Sequence, residues 1–372
     1  MISKIDVCNY KCFSKKESFE LSRINLFTGY NGRGKSSIFQ ILLMLAQGVK
    51  KNKDIKDLVI NGSFVELDLY SDIVNDLSNP IQICIEDSSS KIKVDFHYKK
   101  NEGNSRVGKI CGLIINEQNY FQKAKELGGK GKSEASEEQL SSYPINDISK
   151  IFENFYYISA DRLGPTKYEE KTELDVLNPI GQNGQFRLNV LNNKKDICDK
   201  ISNDINIIMD SNDKLKIVGE GDENSVLSLV FEKNERNIKS INTGYGYSYI
   251  LSIVVLLNMV KEGVIFIENP EAHLHPMAQS KLMNLVAKTV EENEDVQIFI
   301  ETHSEHIINA FRLACAKKDN NIFKDDISIY FFDKDFSVKK LQLLQNGQIP
   351  SWPKGFFDQQ ANDLAEIIKL GL

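Results

Sequence analysis

The sequence predicts an α/β fold with a mixed central sheet, and three features point to it. Short apolar runs alternate with helical patterns through the C-terminal half: Val264 to Ile267, a helix from Met277 to Glu292, Val296 to Ile300, and a helix from Glu305 to Lys317. Such alternation builds a sheet of parallel strands with helices on both faces. A glycine-rich loop, Gly29-Tyr30-Asn31-Gly32-Arg33-Gly34-Lys35-Ser36, joins a strand at Ile24 to Thr28 to a helix from Lys35 to about Gln47. Strand-like runs at Ile2 to Val7, Phe64 to Tyr70, Ile81 to Ile85 and Ile92 to Tyr98 make the N-terminal third β-rich.

The glycine loop fits the P-loop spacing of Gly, four residues, then Gly-Lys-Ser. An ordinary glycine turn is the alternative, but an apolar strand before and an apolar helix after supply the P-loop context. Glycines let the backbone curl so that several N–H groups point inward at phosphate oxygens. The helix that follows aims its positive end at the same anion. Lys35 is suited to the β- and γ-phosphates of ATP, and Ser36 to Mg²⁺. Asn31, Gly32, Arg33, Gly34, Lys35, Ser36 and Ser37 are therefore the nucleotide-binding candidates.

In the helix after the loop, Ile38, Ile41, Leu42 and Leu45 keep helical spacing while Phe39, Leu43 and Ala46 cover its other side, so it is expected to be buried. Glu117 to Pro144 reads as a long polar, mobile loop. Phe155 to Ala160 returns to strand character, Asn178 to Gly184 is a turn region, and helical and strand segments fill Leu188 to Phe231. Ser248 to Lys261 is an almost wholly apolar helix. Its apolar stretch, Tyr249 to Val260, is interrupted by Ser252 and Asn258 and falls short of the roughly 20 residues that span a bilayer. No internal repeat and no sustained heptad pattern is present.

With 41% hydrophobic and 26% charged residues the chain has the balance of a soluble globular protein. Its net charge of −6 argues against bulk electrostatic capture of nucleic acid. A local basic patch stays open at Lys50, Lys51, Lys53 and Lys56, which also reads as the solvated end of a helix. Six scattered cysteines lack zinc or dithiol spacing, and no signal peptide opens the chain, so a cytoplasmic protein with reduced thiols and no membrane contact is expected.

A second acidic motif, Val264-Ile265-Phe266-Ile267-Glu268-Asn269-Pro270-Glu271, looks like a Walker B strand. Glu268 takes the Mg²⁺ position. Asn269 stands where a catalytic Glu is usual, and an amide can orient water but cannot take its proton. Glu271 is the candidate stand-in base; it also reads as an acid at a helix start. Four of the five histidines, His273, His275, His303 and His306, fall close together. They could ligate a metal. The preferred reading makes His303, in Glu301-Thr302-His303-Ser304, a γ-phosphate sensor, and His275, before Pro276, a structural turn residue.

With these pieces in order, the chain resembles the ABC-type ATPase heads of the SMC, RecF and OLD superfamily. Asn9-Tyr10-Lys11-Cys12-Phe13 with the P-loop resembles that group's N-terminal lobe. Glu268 to Pro276 resembles the OLD-like Walker B and D-loop, and Glu301 to Ser304 its switch-histidine segment. More narrowly, Ser159 to Pro165 and Trp352-Pro353-Lys354-Gly355-Phe356-Phe357-Asp358 are similar to a group of stand-alone bacterial ATPases that carry Asn in that Walker B. The resemblance implies a P-loop NTPase of ABC-head type with a helical insertion. It divides a single head into an N-terminal lobe (1–115), a flexible polar loop (116–150), an insertion and helical region (151–240), a C-terminal lobe (241–345) and a tail (346–372). The degenerate signature at Asn242 to Ser248 makes Thr243 and Gly244 candidates to cap the γ-phosphate of an opposite subunit; the alternative is a plain helix start. A homodimer around two ATPs and Mg²⁺ is implied, with a companion effector, a nuclease among the candidates, in anti-phage defence or DNA maintenance. An ATP-held nucleic-acid clamp and a self-contained metallo-nuclease are the other readings. Asp333-Lys334-Asp335 mimics the acidic pair of a Toprim nuclease but reads as a hairpin turn. Arg33 and Arg162 each read either as phosphate contacts or as structural side chains. Trp352, Phe356 and Phe357 read as a partner anchor or, by preference, as pins for the C-terminal helix.

Overall fold

The structure is a computed structural model; it describes residues 1–120, 144–175, 177–220, 225–233, 236–317 and 322–371. The polar loop expected over 116–150 falls mostly outside those residues. At its edges, Gln118–Asn119 pairs with the preceding strand and Ile145–Ile151 is helical.

The N-terminal lobe is an antiparallel sheet. Its strands are β1 (Ile2–Cys8), β2 (Glu17–Glu20), β4 (Asp57–Val59), β5 (Ile81–Asp87), β6 (Ile92–Lys100), β7 (Val107–Ile115) and β8 (Gln118–Asn119), ordered β2-β1-β5-β6-β7-β4 with β8 beside β7. Between β1 and β4 the chain leaves this sheet to make β3 (Ile24–Gly29) and helix α1 (Lys35–Asn52). The central sheet runs β17-β16-β3-β15-β14-β9, with β9 at Phe155–Ile158, β14 at Gly263–Glu268, β15 at Val296–Glu301, β16 at Ile327–Phe332 and β17 at Val338–Leu341. All of its pairings are parallel except β16 with β17. Beside its helices, the region 151–240 adds a third, antiparallel sheet of β10 (Glu169–Glu170), β11 (Lys214–Glu220), β12 (Val226–Lys233) and β13 (Arg236–Lys239).

Alternate residues of a strand point to opposite faces, and the central strands sort their side chains by chemistry. One face carries Leu26, Ile158, Ile265, Ile267, Ile298, Ile300 and Ile329, packed under the apolar helix Tyr245–Met259 and the helices Pro276–Glu292 and Glu305–Ala316. The other face carries Phe27, Phe155, Phe266, Phe299, Tyr330 and Phe332, packed on Phe39 of α1. Phe266 stacks on Phe299 at 4.8 Å, and Phe39 meets Phe266 edge-on at 5.4 Å. The aromatic layer thus seats α1, and with it the P-loop, against the ends of β14 and β15.

Phe64 to Tyr70 is not the strand its residue types suggest. The buried amide of Gln47 accepts from the N–H groups of Phe64 and Val65, both at 3.2 Å, and donates to the Val59 carbonyl at 2.7 Å. Asn61 Oδ1 takes the N–H groups of Leu67 and Asp68. Side chains satisfy the backbone there in place of a ladder. Lys50 leaves the basic run: it is half-buried and donates to the carbonyls of Leu177 (3.1 Å) and Phe155 (3.4 Å), and burial pushes its pKa down to about 8, whereas Lys51 and Lys53 are exposed at the C-terminal end of α1. Phe356 is buried against Phe331, with Trp352 at 4.8 Å, but the C-terminal helix Gln359–Lys369 buries none of its residues. The aromatics therefore fix the segment before that helix and do not pin the helix itself. No helix among the described residues is long and apolar enough to cross a membrane.

Candidate functional site

Gly34 ends the glycine loop and caps α1 with φ 103 and no side-chain hydrogen bond. A Cβ there would also meet Cys12 Sγ at 2.6 Å and the Phe13 ring, so glycine is required. The Ser37 N–H donates to the Gly34 carbonyl at 3.1 Å, and those of Lys35 and Ser36 are left to point at whatever the loop encloses. Lys35 is buried, and its Nζ donates to the carbonyls of Gly29 (3.1 Å) and Tyr30 (2.8 Å) on the loop's own rim. Burial lowers its pKa, and the Glu301 carboxylate opposes that shift. Asn31 and Gly32 form the exposed tip of the loop. Arg33 lays its guanidinium over the Phe336 ring at 4.2 Å, and Lys334 stands over Tyr30 at 4.9 Å. The hairpin turn at Asp333 to Asp335 therefore buttresses the loop, and Arg33 is turned onto that buttress.

Glu268 ends β14 on the face that carries α1. Its Oε2 accepts from Ala160 N at 3.2 Å, and the Tyr157 hydroxyl donates to it. Burial still pushes its carboxyl above the ordinary range. Asn269 follows in a left-handed conformation, φ 42, with a buried and unpartnered Oδ1. Arg162, almost wholly buried, fixes this bend by donating to the carbonyls of Ser159 (2.8 Å), Glu268 (2.6 Å) and Asn269 (2.6 Å). Every one of these bonds is to the backbone, so the structural reading of Arg162 accounts for its contacts.

Glu271 is not at a helix start, because the next helix begins at Pro276 with the His275 side chain as its cap. Its two oxygens accept from His303 N (2.7 Å) and Thr302 Oγ1 (2.9 Å), which ties the turn after β14 to the segment after β15. His303 is exposed; the packing around its ring and the Lys35 ammonium lower its pKa. It lines a pocket of about 160 Å³ with Gly29, Tyr30, Gly355, Phe356 and Phe357. A larger depression between Lys51, Asp57 and Arg106 lies on the N-terminal lobe, away from every candidate residue, and holds none of this chemistry. The other histidines disperse: His275 accepts from Met277 N, and His273 packs on Tyr249 at 4.4 Å. Among the described residues no group of three or more His, Cys, Asp or Glu side chains forms a metal cage, so the histidine-cluster metal site is not supported.

Thr243 and Gly244 sit at the start of the helix Tyr245–Met259. Thr243 Oγ1 donates to Ser240 O at 2.6 Å, and Gly244 faces open space. Among the described residues no hydrogen bond links either one to the glycine loop.

One residue of the site was not singled out from the sequence. Glu301, at the end of β15, is paired in register with Glu268 and projects on the same face. It is hydrogen-bonded to Ser36 and close enough to Lys35, Glu268 and Glu271 to feel their charges, and burial pushes its carboxyl up to about 7. The available signal was its two-residue spacing from Phe299 in a strand parallel to the Glu268 strand.

The AAA ATPase domain family model matches residues 1–163 and 115–308. Residues 322–367 match a family described as "Protein of unknown function (DUF3696)". An uncharacterised protein of Methanocaldococcus jannaschii is 34% identical over 76 residues, which is 20% of this chain and 65% of that protein; the match thus spans less than two thirds of that relative. A solved SMC head bound to the C-winged helix domain of ScpA is similar, with TM-score 0.53 and 14% identity over 92% of this chain and 98% of that one. The SMC head of Pyrococcus furiosus, solved with an extended coiled coil and the C-terminal domain of ScpA, gives TM-score 0.49 and 11% identity over 99% of both chains. The likeness to the first, at 14% identity, is one of fold.

Proposed function

Because the chain belongs to the AAA ATPase domain family, we propose that it is an ATP-binding and ATP-hydrolysing switch that closes as a homodimer around ATP and controls a partner protein. The observation that carries this reading is the convergence of the uncapped start of α1, the Lys35 ammonium and the carboxylates at the ends of β14 and β15 on one face of the central sheet. The loop N–H groups from Asn31 to Ser37 bind phosphate oxygens. Lys35 exchanges its bonds to the Gly29 and Tyr30 carbonyls for bonds to the β- and γ-phosphates. Such a site suits a divalent ion, since Mg²⁺ takes few protein ligands and completes its shell with phosphate oxygens and water. The buried, unpartnered Glu301 Oε2 is an oxygen of the kind that fits one. Ser36 and Glu268 hold that ion, whose chemistry is to neutralise charge building on the phosphates.

In this reading the Asn269 amide orients the attacking water without taking its proton. Glu271 positions Thr302 and His303, and His303 contacts the γ-phosphate. Thr243 and Gly244 of a second copy cap that phosphate. Resemblance to the OLD-like group suggests anti-phage defence or DNA maintenance, with a nuclease among the candidate effectors. The test is phosphate release from ATP by the purified protein beside Lys35→Ala. Turnover that falls at least about 100-fold in the variant supports the switch, as expected for loss of a charge-stabilising group. A second reading, favoured by the amide at Asn269, is a clamp that holds ATP and nucleic acid with little turnover. Absent turnover together with ATP-requiring, salt-sensitive DNA binding would replace the first reading with this one.

A further inference from the structure

Three glutamates face one small volume beside the P-loop, and their hydrogen bonds divide them. Both oxygens of Glu271 are engaged by Thr302 and His303. Glu268 takes the Ala160 N–H and the Tyr157 hydroxyl. Glu301 has the Ser36 hydroxyl, but its Oε2 is buried with no hydrogen-bond partner and its side chain is only 6% exposed. Among the described residues no ion pair includes Glu301. The nearby guanidinium of Arg162 is spent on three backbone carbonyls, and the Lys35 ammonium on two.

A buried carboxylate oxygen without a partner is costly. ATP would raise that cost, because its phosphates bring more negative charge to the same side of Lys35. A cation placed between the carboxylate and the phosphates removes the conflict. The geometry allows it: parallel register puts Glu301 and Glu268 side by side, 301 on the strand next to β3, on the face where α1 starts with Lys35 and Ser36.

Resting on the ATP-site reading above, we propose that Glu301 is a ligand of the nucleotide's divalent ion, presenting Oε2 beside the Ser36 hydroxyl and the Glu268 carboxylate. The ion then has two strand-end carboxylates and one hydroxyl from the protein, with its remaining positions left to phosphate oxygens and water. That donor set is oxygen-only and incomplete without the nucleotide, as expected for Mg²⁺. It also agrees with the lack of a self-sufficient cage among the described residues.

The test uses Mn²⁺ as a paramagnetic probe, titrated by EPR into the full chain with a non-hydrolysable ATP analogue. A fluorescent ATP analogue is titrated in parallel in EDTA. In Glu301→Gln, which keeps an acceptor for Ser36, Mn²⁺ affinity is expected to fall about tenfold or more, in the range found when metal-site partners are removed. Nucleotide binding in EDTA is expected to hold or tighten, because a negative charge near the phosphates is gone. Glu301→Asp, which keeps the charge but shortens its reach, should weaken Mn²⁺ while leaving binding in EDTA at the wild-type level; it serves as the second variant if Glu301→Gln does not fold. Mn²⁺ affinity within twofold of wild type in both variants overturns the inference alone. Equal weakening with and without metal does so too, since it marks Glu301 as only a support for Ser36. Failure of the wild-type chain to bind nucleotide in either condition overturns the ATP-site reading, and this inference with it.

Discussion

Glu271 shows how a few hydrogen bonds decide between two chemistries. A base must have a free oxygen within reach of its water, and both Glu271 oxygens accept protein hydrogens. Glu271→Gln can present its carbonyl to His303 N and its amide to the Thr302 hydroxyl, so turnover should stay within about fivefold of wild type, whereas loss of a base costs roughly 100-fold or more. A steady-state ATPase assay of this variant separates the two, and a collapse of turnover would return Glu271 to the role of base. At this scale the glycine loop was legible as a pattern because its residues are consecutive, and they do join β3 to α1. Glu301 was not, because its partners come from α1 and β14, and only sheet register brings them together. The open Asn269 amide was legible as a departure, but the Arg162 clamp on its carbonyl was not.

Among the elements, those with strong periodicity were legible: β14 and β15 lie where the apolar pattern put them, while α1 runs on past Gln47 to Asn52 and the apolar helix begins at Tyr245, before Ser248, and ends at Met259. Phe64 to Tyr70 failed because residue type carries no information about where backbone hydrogen bonds go. The residue that decides it is Gln47, one helix away and 1% exposed. Gln47→Leu keeps the volume but orphans the buried N–H groups of Phe64 and Val65 and the Val59 carbonyl. The expected loss is about 2–4 kcal/mol, at about 1–3 kcal/mol for each unsatisfied buried group and with partial relaxation. It is read as a lower urea midpoint with unchanged m-value. An unchanged midpoint would mean that water replaces the amide.

The whole molecule carries a buried charge imbalance that should show in its response to pH. Burial raises Glu301 to about 7 from an ordinary value of 4.5, with Ser36 opposing the shift; Glu169, also raised by burial, is balanced by Arg187 in an ion pair at 3.1 Å. A carboxyl raised in the folded chain keeps its proton where the unfolded one has lost it. Its contribution is therefore full below about pH 4.5 and is lost as pH climbs through about 7. Asp6 acts in the opposite sense: burial resists its ionisation, but Lys16 at 2.7 Å and Ser18 outweigh that and hold it below the ordinary range, so its share is lost in strong acid. The ligand-free chain should thus be most stable near pH 4.5 and lose roughly 1 kcal/mol per pH unit for Glu301 on the way to neutrality. Urea midpoints at pH 5, 6, 7 and 8 check it. Glu301→Gln should flatten the slope, and a midpoint that rises with pH would contradict the assignment.

The segment before the last helix has a mechanical meaning. Gly355, at φ 82, passes so close to Tyr30 that a Cβ would fall on its hydroxyl, and Phe356 and Phe357 line the same pocket as His303. The helix that hangs from them, Gln359–Lys369, is held by no burial of its own and shows Leu364, Ile367 and Ile368 to solvent. The two are in series along the chain: the exposed helix joins the rest of the molecule through a segment packed at once on Tyr30 of the glycine loop and, through Phe356, on the aliphatic core, so a displacement of that helix is shared between the loop and the core.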